Sequence, residues 1–363
     1  MVQSVYDFPD RGAKMKKLLK VLLILLLVAV LLVGGFLGFL TATEYKPKDV
    51  ETIEIKGSGS GPVPAENLSL ISWNIGYAGL GAGEDFFMDG GTRARPDSRE
   101  TLNGYLDGID RSLRADRPAD LILLQEVDAK SSRTFKIDET AVLSQGASAF
   151  AQNYSCPFVP VPFPPMGMVH SGLLTTTGYE IREAERVALP CPFSWPLSTA
   201  NLKRCLLVCR LPVQGSEKDL VLVNLHLEAY DDGEGKLAQT KQMMDLLQKE
   251  YLNGNYVIAG GDFNQVFPGS LAIWPNNHPE NWIPGLLETE ALPSGFRYVC
   301  DLSAPTCRLL NQPYNPEDSV NTQYYSIDGF IVSPNVTVSS VETLDYEFRN
   351  SDHNPVYITV NLE

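Results

Sequence analysis

The stretch Tyr256-Val257-Ile258-Ala259-Gly260-Gly261-Asp262-Phe263-Asn264 runs from an apolar, β-branched segment through two glycines into a carboxylate and an amide two residues apart. Its first four residues predict a buried strand. The polar pair falls just past that strand, where a rigid sheet can present side chains to a shared pocket. Taken alone, Gly-Asp-x-Asn is equally a tight turn.

The same arrangement recurs along the chain. Trp73-Asn74 ends the apolar run that starts at Leu68, and Gln125-Glu126 closes the run from Leu121. Asn224-Leu225-His226-Leu227 closes the run from Leu220, Ile327-Asp328-Gly329 opens the run to Val332, and Ser351-Asp352-His353-Asn354-Pro355 precedes the run to Leu362. A single histidine in an alternating strand is normally a packed rim residue, and a single aspartate before a turn is normally a cap. Joint occurrence in this order is far more specific. Between the first two runs, Leu102, Tyr105, Leu106, Ile109 and Leu113 have the three-and-four spacing of an amphipathic helix, and residues 235–251 repeat it less cleanly. Strands mixed with a few helices predict an α/β domain of packed sheets with helices outside. Residues 156–166 and 267–285, rich in Pro and aromatics, predict long loops. No repeat at a period of about 20 to 50 residues is present, which argues against a solenoid or propeller.

The N-terminal part is of a different kind. Residues 21–40 carry no charge and are mostly Leu, Val and Ile, enough for a helix to cross a bilayer core of about 30 Å. A cleaved signal peptide is the competitor, but its apolar stretch is shorter and no clear Ala-x-Ala site follows. Arg11, Lys14, Lys16, Lys17 and Lys20 precede the run, so the basic flank is expected to stay cytoplasmic. Met15-Lys16-Lys17 would itself make a start for such a segment. The expected organisation is a cytoplasmic tail over residues 1–17, a single transmembrane helix over 18–40, and a Gly/Ser-rich flexible linker over 41–66. One folded domain, extracytoplasmic at the cell membrane, then occupies residues 67–363.

Of 363 residues, 44% are hydrophobic and 20% charged, which excludes a wholly disordered chain. Net charge is -15, and residues 1–65 hold 8 Lys/Arg against 6 Asp/Glu, so the folded part is the acidic part. A processive nuclease is disfavoured by that balance, because grip on long nucleic acid comes from Lys and Arg on phosphates. The six cysteines form no Cys-x-x-Cys pair, which argues against a zinc site. Outside the cytoplasm, Cys300 and Cys307 could close a small disulfide loop, whereas Cys205 and Cys209 read as core residues.

The ordered set of strand-end residues over about residues 67–363 resembles the endonuclease/exonuclease/phosphatase superfamily. The resemblance implies a four-layer α/β/β/α sandwich and a metal-dependent phosphoesterase. By resemblance Glu126 is the principal ligand of Mg²⁺, with Mn²⁺ as an alternative, and Asn74 and Asp352 lie close to the metal. His353 is the expected general base, oriented by Asp328, with Asp262 its rival; Asn264 and His226 are expected to donate hydrogen bonds to the phosphorane. Two places depart from the family pattern. Residues 76–96 look like an insertion whose Arg93 and Arg95 are candidates for substrate phosphate, against a reading as a solvated loop. His170-Ser171-Gly172 stands where many members carry Gly-x-x-x-Ser/Thr, and His170 is given no role.

The phosphoester itself stays open among nucleic acid, sphingolipid or other lipid, and inositol phosphate. No covalent intermediate and no stable protein partner are implied; the membrane, through residues 18–40, is the expected association. An inactive, membrane-tethered binding module with the same fold is the opposing reading. Such drift would have erased some of the eight site residues, and all are present.

Overall fold

Alternation within the predicted strands sets the layers. In the computed structural model, which describes residues 11–363 apart from 232 and 319, fourteen strands build two seven-stranded sheets. They are β1 (Val50–Thr52), β2 (Ile55–Lys56), β3 (Leu68–Asn74), β4 (Leu121–Asp128), β5 (Ala147–Val159), β6 (Gly167–Thr177), β7 (Glu183–Ala188), β8 (Cys205–Pro212), β9 (Asp219–His226), β10 (Tyr256–Asp262), β11 (Arg297–Val299), β12 (Asp328–Val332), β13 (Val336–Thr343) and β14 (Val356–Leu362). The first sheet has the order β1-β7-β8-β9-β10-β12-β11, and the second β13-β14-β3-β4-β6-β5-β2.

Along β3, Leu68 and Leu70 face the other sheet, while Ile71 and Trp73 face away. β9 and β10 do the same, with Leu220, Leu222 and Ile258 inward and Val221, Val223, Val257 and Ala259 outward. The two inward sets merge into one central core. Helices cover the outward sets. Beyond the N-terminal helix α1 (Arg11–Ala42), α2 (Arg99–Arg111) lays Leu102, Leu106 and Ile109 on the second sheet, and α3 (Glu234–Leu252) lays Met243, Met244 and Leu247 on the first. Each such side chain contributes about 1.5 to 3 kcal/mol on burial. Ser98 caps α2 by accepting from the Thr101 amide at 3.0 Å, an interaction of about 1 kcal/mol. The architecture is the expected four-layer α/β/β/α sandwich.

Residues 41–66 are not a free tether. β1 pairs with β7 in one sheet and β2 with β5 in the other, and Val63 is fully buried beside Val213. The glycines that suggest flexibility are close-approach glycines instead: a Cβ at Gly57 would lie 2.0 Å from the Gly146 carbonyl oxygen, and one at Gly59 1.7 Å from that of Tyr179. The folded part therefore starts near residue 50 rather than 67. Residues 156–166 also differ from expectation, because β5 continues to Val159 and leaves only residues 160–166 as the turn before β6.

Helix α1 has the length and apolar composition to cross a membrane over Lys14–Ala42, and its most apolar window packs against nothing else in the protein. Its C-terminal end is docked. Leu40 is buried, the Trp195 indole donates to Thr41 Oγ1 at 3.0 Å, and Lys203 pairs with Glu44 at 2.9 Å.

Across the first sheet, Arg210 on β8 grips Glu250 of α3 through two hydrogen bonds of 2.9 and 2.8 Å. The Arg210 hydrogen bonds hold the Glu250 carboxyl below its ordinary 4.5, against the opposing effect of burial. A depressed folded value means stability that is present above pH 4.5 and lost as pH falls through it. In detergent-solubilised full-length protein, Glu250→Gln is expected to cost about 2 kcal/mol in urea unfolding at pH 7. The difference from wild type is expected to shrink below pH 4.5; a difference independent of pH would exclude the ion pair as its source.

Candidate active site

The inward parity of each strand, extended four residues past its last core side chain, delivers the polar set. On β3 the inward sequence Leu68, Leu70 continues to Ser72 and Asn74; on β9 Leu220, Leu222 continues to Asn224 and His226; on β10 Ile258 continues to Gly260 and Asp262. Register then aligns the strands. Asp262 stands opposite His226 on one side and Asp328 on the other, and Asn74 stands opposite Gln125. Glu126 follows Gln125 at a β-bulge with φ +54°, which returns Val127 to the outward face. Such backbone persists in a non-glycine residue only where the surroundings fix it.

The result is one contiguous, mostly buried cluster. Asn74 Nδ2 donates to Glu126 Oε1 at 3.1 Å and to Asp262 Oδ2 at 3.0 Å, and lies 3.5 Å from His353 Nε2. Asp262 Oδ2 is also 3.5 Å from His226 Nε2 and 3.8 Å from His353 Nε2, while its Oδ1 accepts from the Asn264 amide at 2.8 Å. His353 Nδ1 lies 2.8 Å from Asp328 Oδ2, which fixes the ring with Nε2 toward the cleft. Asp352 Oδ2 is 3.8 Å from that same Nε2. Asn264 donates its side-chain amide to Leu227 O.

Electrostatics separate these groups. Burial pushes Asp352 up to about 7, with Glu126 adding to the effect and His353 and Arg308 opposing it. Asp262 rises to about 6 through burial and the nearby Asp328. Burial would depress His353, but Asp328, Cys307 and Asp352 outweigh it and hold the imidazole well above its ordinary value. His226 is driven well below, by burial first and then by Arg204 and His353.

The donor set fits a hard divalent cation. Asp352 and Glu126 both line the cleft, and burial first and the nearby Glu126 second raise Asp352, a cost that a cation would offset. Two other sets, Asp262-Asp328-His353 and Cys307-Asp352-His353, also bring ligand atoms within 4.8 Å of one another. Asp328 is already committed to His353, and a thiol is a poor partner for Mg²⁺, so the oxygens of Asp352 and Glu126 are the better candidates.

Arg93 and Arg95 are not brought to this cluster. Arg93 is held by Glu84 at 3.1 Å, Asp97 at 3.4 Å and Asp85 at 3.7 Å, and Arg95 lies over the Phe135 ring at 5.7 Å. Neither lines the cleft, whose arginines are Arg133, Arg204 and Arg308. His170 is also apart, on β6, with Nδ1 3.0 Å from Gln152 and 3.2 Å from Ser155.

Several supporting residues carry no sequence signal of their own. Gln125 donates to Asn224 at 2.8 Å across the sheets beneath the cluster, and Asn224 donates to the carbonyls of Leu124 and Leu174 at 3.1 Å. Ser351 Oγ donates to Asn74 O at 2.8 Å and accepts from the His353 amide at 3.2 Å. Buried Arg308 holds the 76–96 insertion by donating to the carbonyls of Gly81 and Glu84. Tyr230 donates to Asp89 at 2.9 Å along the cleft wall.

The profile of the Endonuclease/Exonuclease/phosphatase family matches residues 71–353, and the chain belongs to that family. Its members are metal-dependent phosphoesterases. The endonuclease/exonuclease/phosphatase from Beutenbergia cavernae DSM 12333 is similar in structure, with a TM-score of 0.54 at 18% identity, over 82% of this chain and 72% of that one. Its counterpart from Bacteroides vulgatus gives a TM-score of 0.51 at 16% identity, over 82% of this chain and 99% of that one. At these identities the likeness is one of fold. No curated protein sequence matches the chain.

The expected Cys300 to Cys307 disulfide is absent: all six cysteines are free. Cys300 packs on the outer layer beside α3, whereas Cys307 is buried in a bridge to the His353 backbone. Denatured, unreduced protein is therefore expected to alkylate at both positions, and a linked 300/307 peptide in mass spectra would contradict this arrangement.

Proposed function

We propose that this protein is a membrane-anchored phosphoester hydrolase that works by direct in-line attack of water. The observation that carries the reading is the single cluster formed by Asn74, Glu126, His226, Asp262, Asp328, Asp352 and His353 at matched strand ends of both sheets. Glu126 and Asp352 would hold the cation, and Asn74, which bonds Glu126, would keep that carboxylate in place. Mg²⁺ is the proposed ion, with Mn²⁺ as a substitute. When bound there, the cation would polarise a phosphoryl oxygen and, as a like charge beside it, oppose protonation of His353.

His353 Nε2 faces the space next to Asp262 and Asp352, and takes the proton of the attacking water. Asp328 holds the ring by its other nitrogen and stabilises the imidazolium that results. Asp262 positions the same water through the oxygen it turns to His226 and His353. His226, with Nε2 3.5 Å from that same oxygen, and Asn264, through the amide hydrogen not given to Leu227 O, donate to charge building on phosphorus. No serine or cysteine nucleophile is needed, and Cys307 stays a buried thiol, pushed up to about 12 by burial.

Helix α1 is the proposed anchor, crossing the membrane once with its basic flank in the cytoplasm and the sandwich outside. Protease added to intact cells is expected to degrade the domain and leave a small anchored fragment, whereas full protection would place the domain inside.

Metal and base lie on separate residues, so mutation can separate them. With a soluble artificial phosphodiester as substrate, Glu126→Gln is expected to weaken apparent metal affinity together with rate, and added Mg²⁺ to recover part of the activity. His353→Ala is expected to lose about a hundredfold or more, with no recovery at high Mg²⁺. Near-normal turnover by a folded His353→Ala protein would move the base to Asp262.

A further inference from the structure

The cleft extends well beyond the groups that do the chemistry. Its cavity of about 620 Å³ is lined by Asp352, His353 and their partners and also by a large apolar set. That set includes Phe87 and Met88 of the 76–96 insertion, Leu310, and Phe36, Leu37 and Leu40 of helix α1. Those three lie in the last two turns of the apolar span, so one wall of the cleft is the outer end of the membrane helix itself. That end is fixed in place by the Thr41–Trp195 hydrogen bond, the Glu44–Lys203 pair and an edge contact between Phe36 and Phe158 at 6.4 Å.

The surface beside that wall is apolar too. Phe163, in the turn between β5 and β6, is 94% exposed, and Trp195 and Leu197 are 60% and 67% exposed. Large aromatic and aliphatic side chains exposed to this degree are favoured at the headgroup interface of a bilayer. Among the described residues, no arginine lining the cleft is left for a nucleic acid. Arg133 and Arg204 are paired with Asp128 and Glu228, Arg308 is spent on backbone carbonyls, and the acidic domain repels a polyanion.

We infer that the substrate is a membrane lipid phosphodiester, its hydrocarbon part lying along Phe36, Leu40, Phe87 and Met88 while its phosphate reaches Asp352 and His353. This rests on the phosphoesterase reading above and names its substrate class. The water oxygen bonds to phosphorus and the bond from phosphorus to one ester oxygen breaks. One water proton passes to His353 and the other stays on the new phosphate oxygen; the leaving oxygen takes a proton from solvent and His353 returns its own to solvent, so the products are an alcohol and a phosphomonoester, one of them still lipid. A substrate drawn from the leaflet along α1 need not enter water, which gives a physical reason for the anchor to form part of the cleft.

The test uses full-length protein in detergent, with Mg²⁺ or Mn²⁺. Substrates are phosphatidylcholines and phosphatidylglycerols of increasing acyl length, kept below their own micelle concentrations, with the chain-free glycerophosphodiesters and a short oligonucleotide beside them. kcat/KM is expected to rise by roughly threefold to fourfold per methylene taken into the cleft, until the cleft is full. Met88→Asp, at a half-exposed wall position that tolerates a charge in folding, and Phe87→Ser are expected to flatten that slope. If the chain-free diesters or the oligonucleotide are cleaved as well as the lipids and the slope is flat, the lipid inference falls while the phosphoesterase reading stands. If no phosphoester of any kind is turned over, both fall.

Discussion

The Asn74 amide, on a strand of one sheet, donates to Asp262, on a strand of the other, and to Glu126 beside it. Every group of the site is placed relative to that cross-sheet contact. It forms only if the strands of each sheet keep their pairing register, since a slip of one residue would turn each inward polar side chain of a strand outward. The central core enforces that register from below, and the Gln125–Asn224 amide pair repeats the cross-sheet link one layer down. Leaving either buried amide unpaired would cost about 1 to 3 kcal/mol, so stability and site geometry rest on the same few hydrogen bonds.

Much of this was legible because the strands that carry chemistry are the apolar ones. The runs ending at Asn74, Gln125, His226 and Asp262, and those flanking Asp328 and His353, are buried on both faces and announce themselves by composition. Strands β5, β6 and β7 were not foreseen, because Gln152, Asn153, Ser155, Thr175 to Thr177, Glu183 and Glu185 break the apolar pattern, whereas β8 is an apolar run whose Cys205 and Cys209 were read only as core residues. β1 and β2 escaped for another reason. They are two- and three-residue edge strands in a Gly/Ser-rich segment, and a glycine that permits close backbone approach looks in sequence like one that permits motion.

The misplaced arginines teach a different lesson. Arg93 has Glu84, Asp85 and Asp97 close by in the chain, a surplus of carboxylates that already pointed to local neutralisation. The insertion does form the cleft wall, but through Phe86, Phe87 and Met88. Aromatic residues in an insertion next to a polar centre were the available signal. Ser351 and Arg308 gave none, since their roles depend on backbone groups far away in sequence.

Charge and apolar surface meet in this cleft in an ordered way. Asp89, Asp262 and Asp352 are all raised by burial, to about 6, 6 and 7. Such a cluster is costly unless a cation shares it, so the polar end of the cleft is built to be completed by a positively charged group. The rest of the lining is mostly apolar and includes Phe36, Leu37 and Leu40 of the helix proposed to sit in the bilayer. The lipid phosphodiester proposed above would match both, with its phosphate at the carboxylates and its hydrocarbon part on the apolar lining. Because the segment from Val50 to Val63 ties the sheets to the residues just after α1, the distance from His353 to the end of that helix is set by folded structure rather than by a loose tether. With α1 as the proposed anchor, reach into the leaflet is therefore a property of the fold.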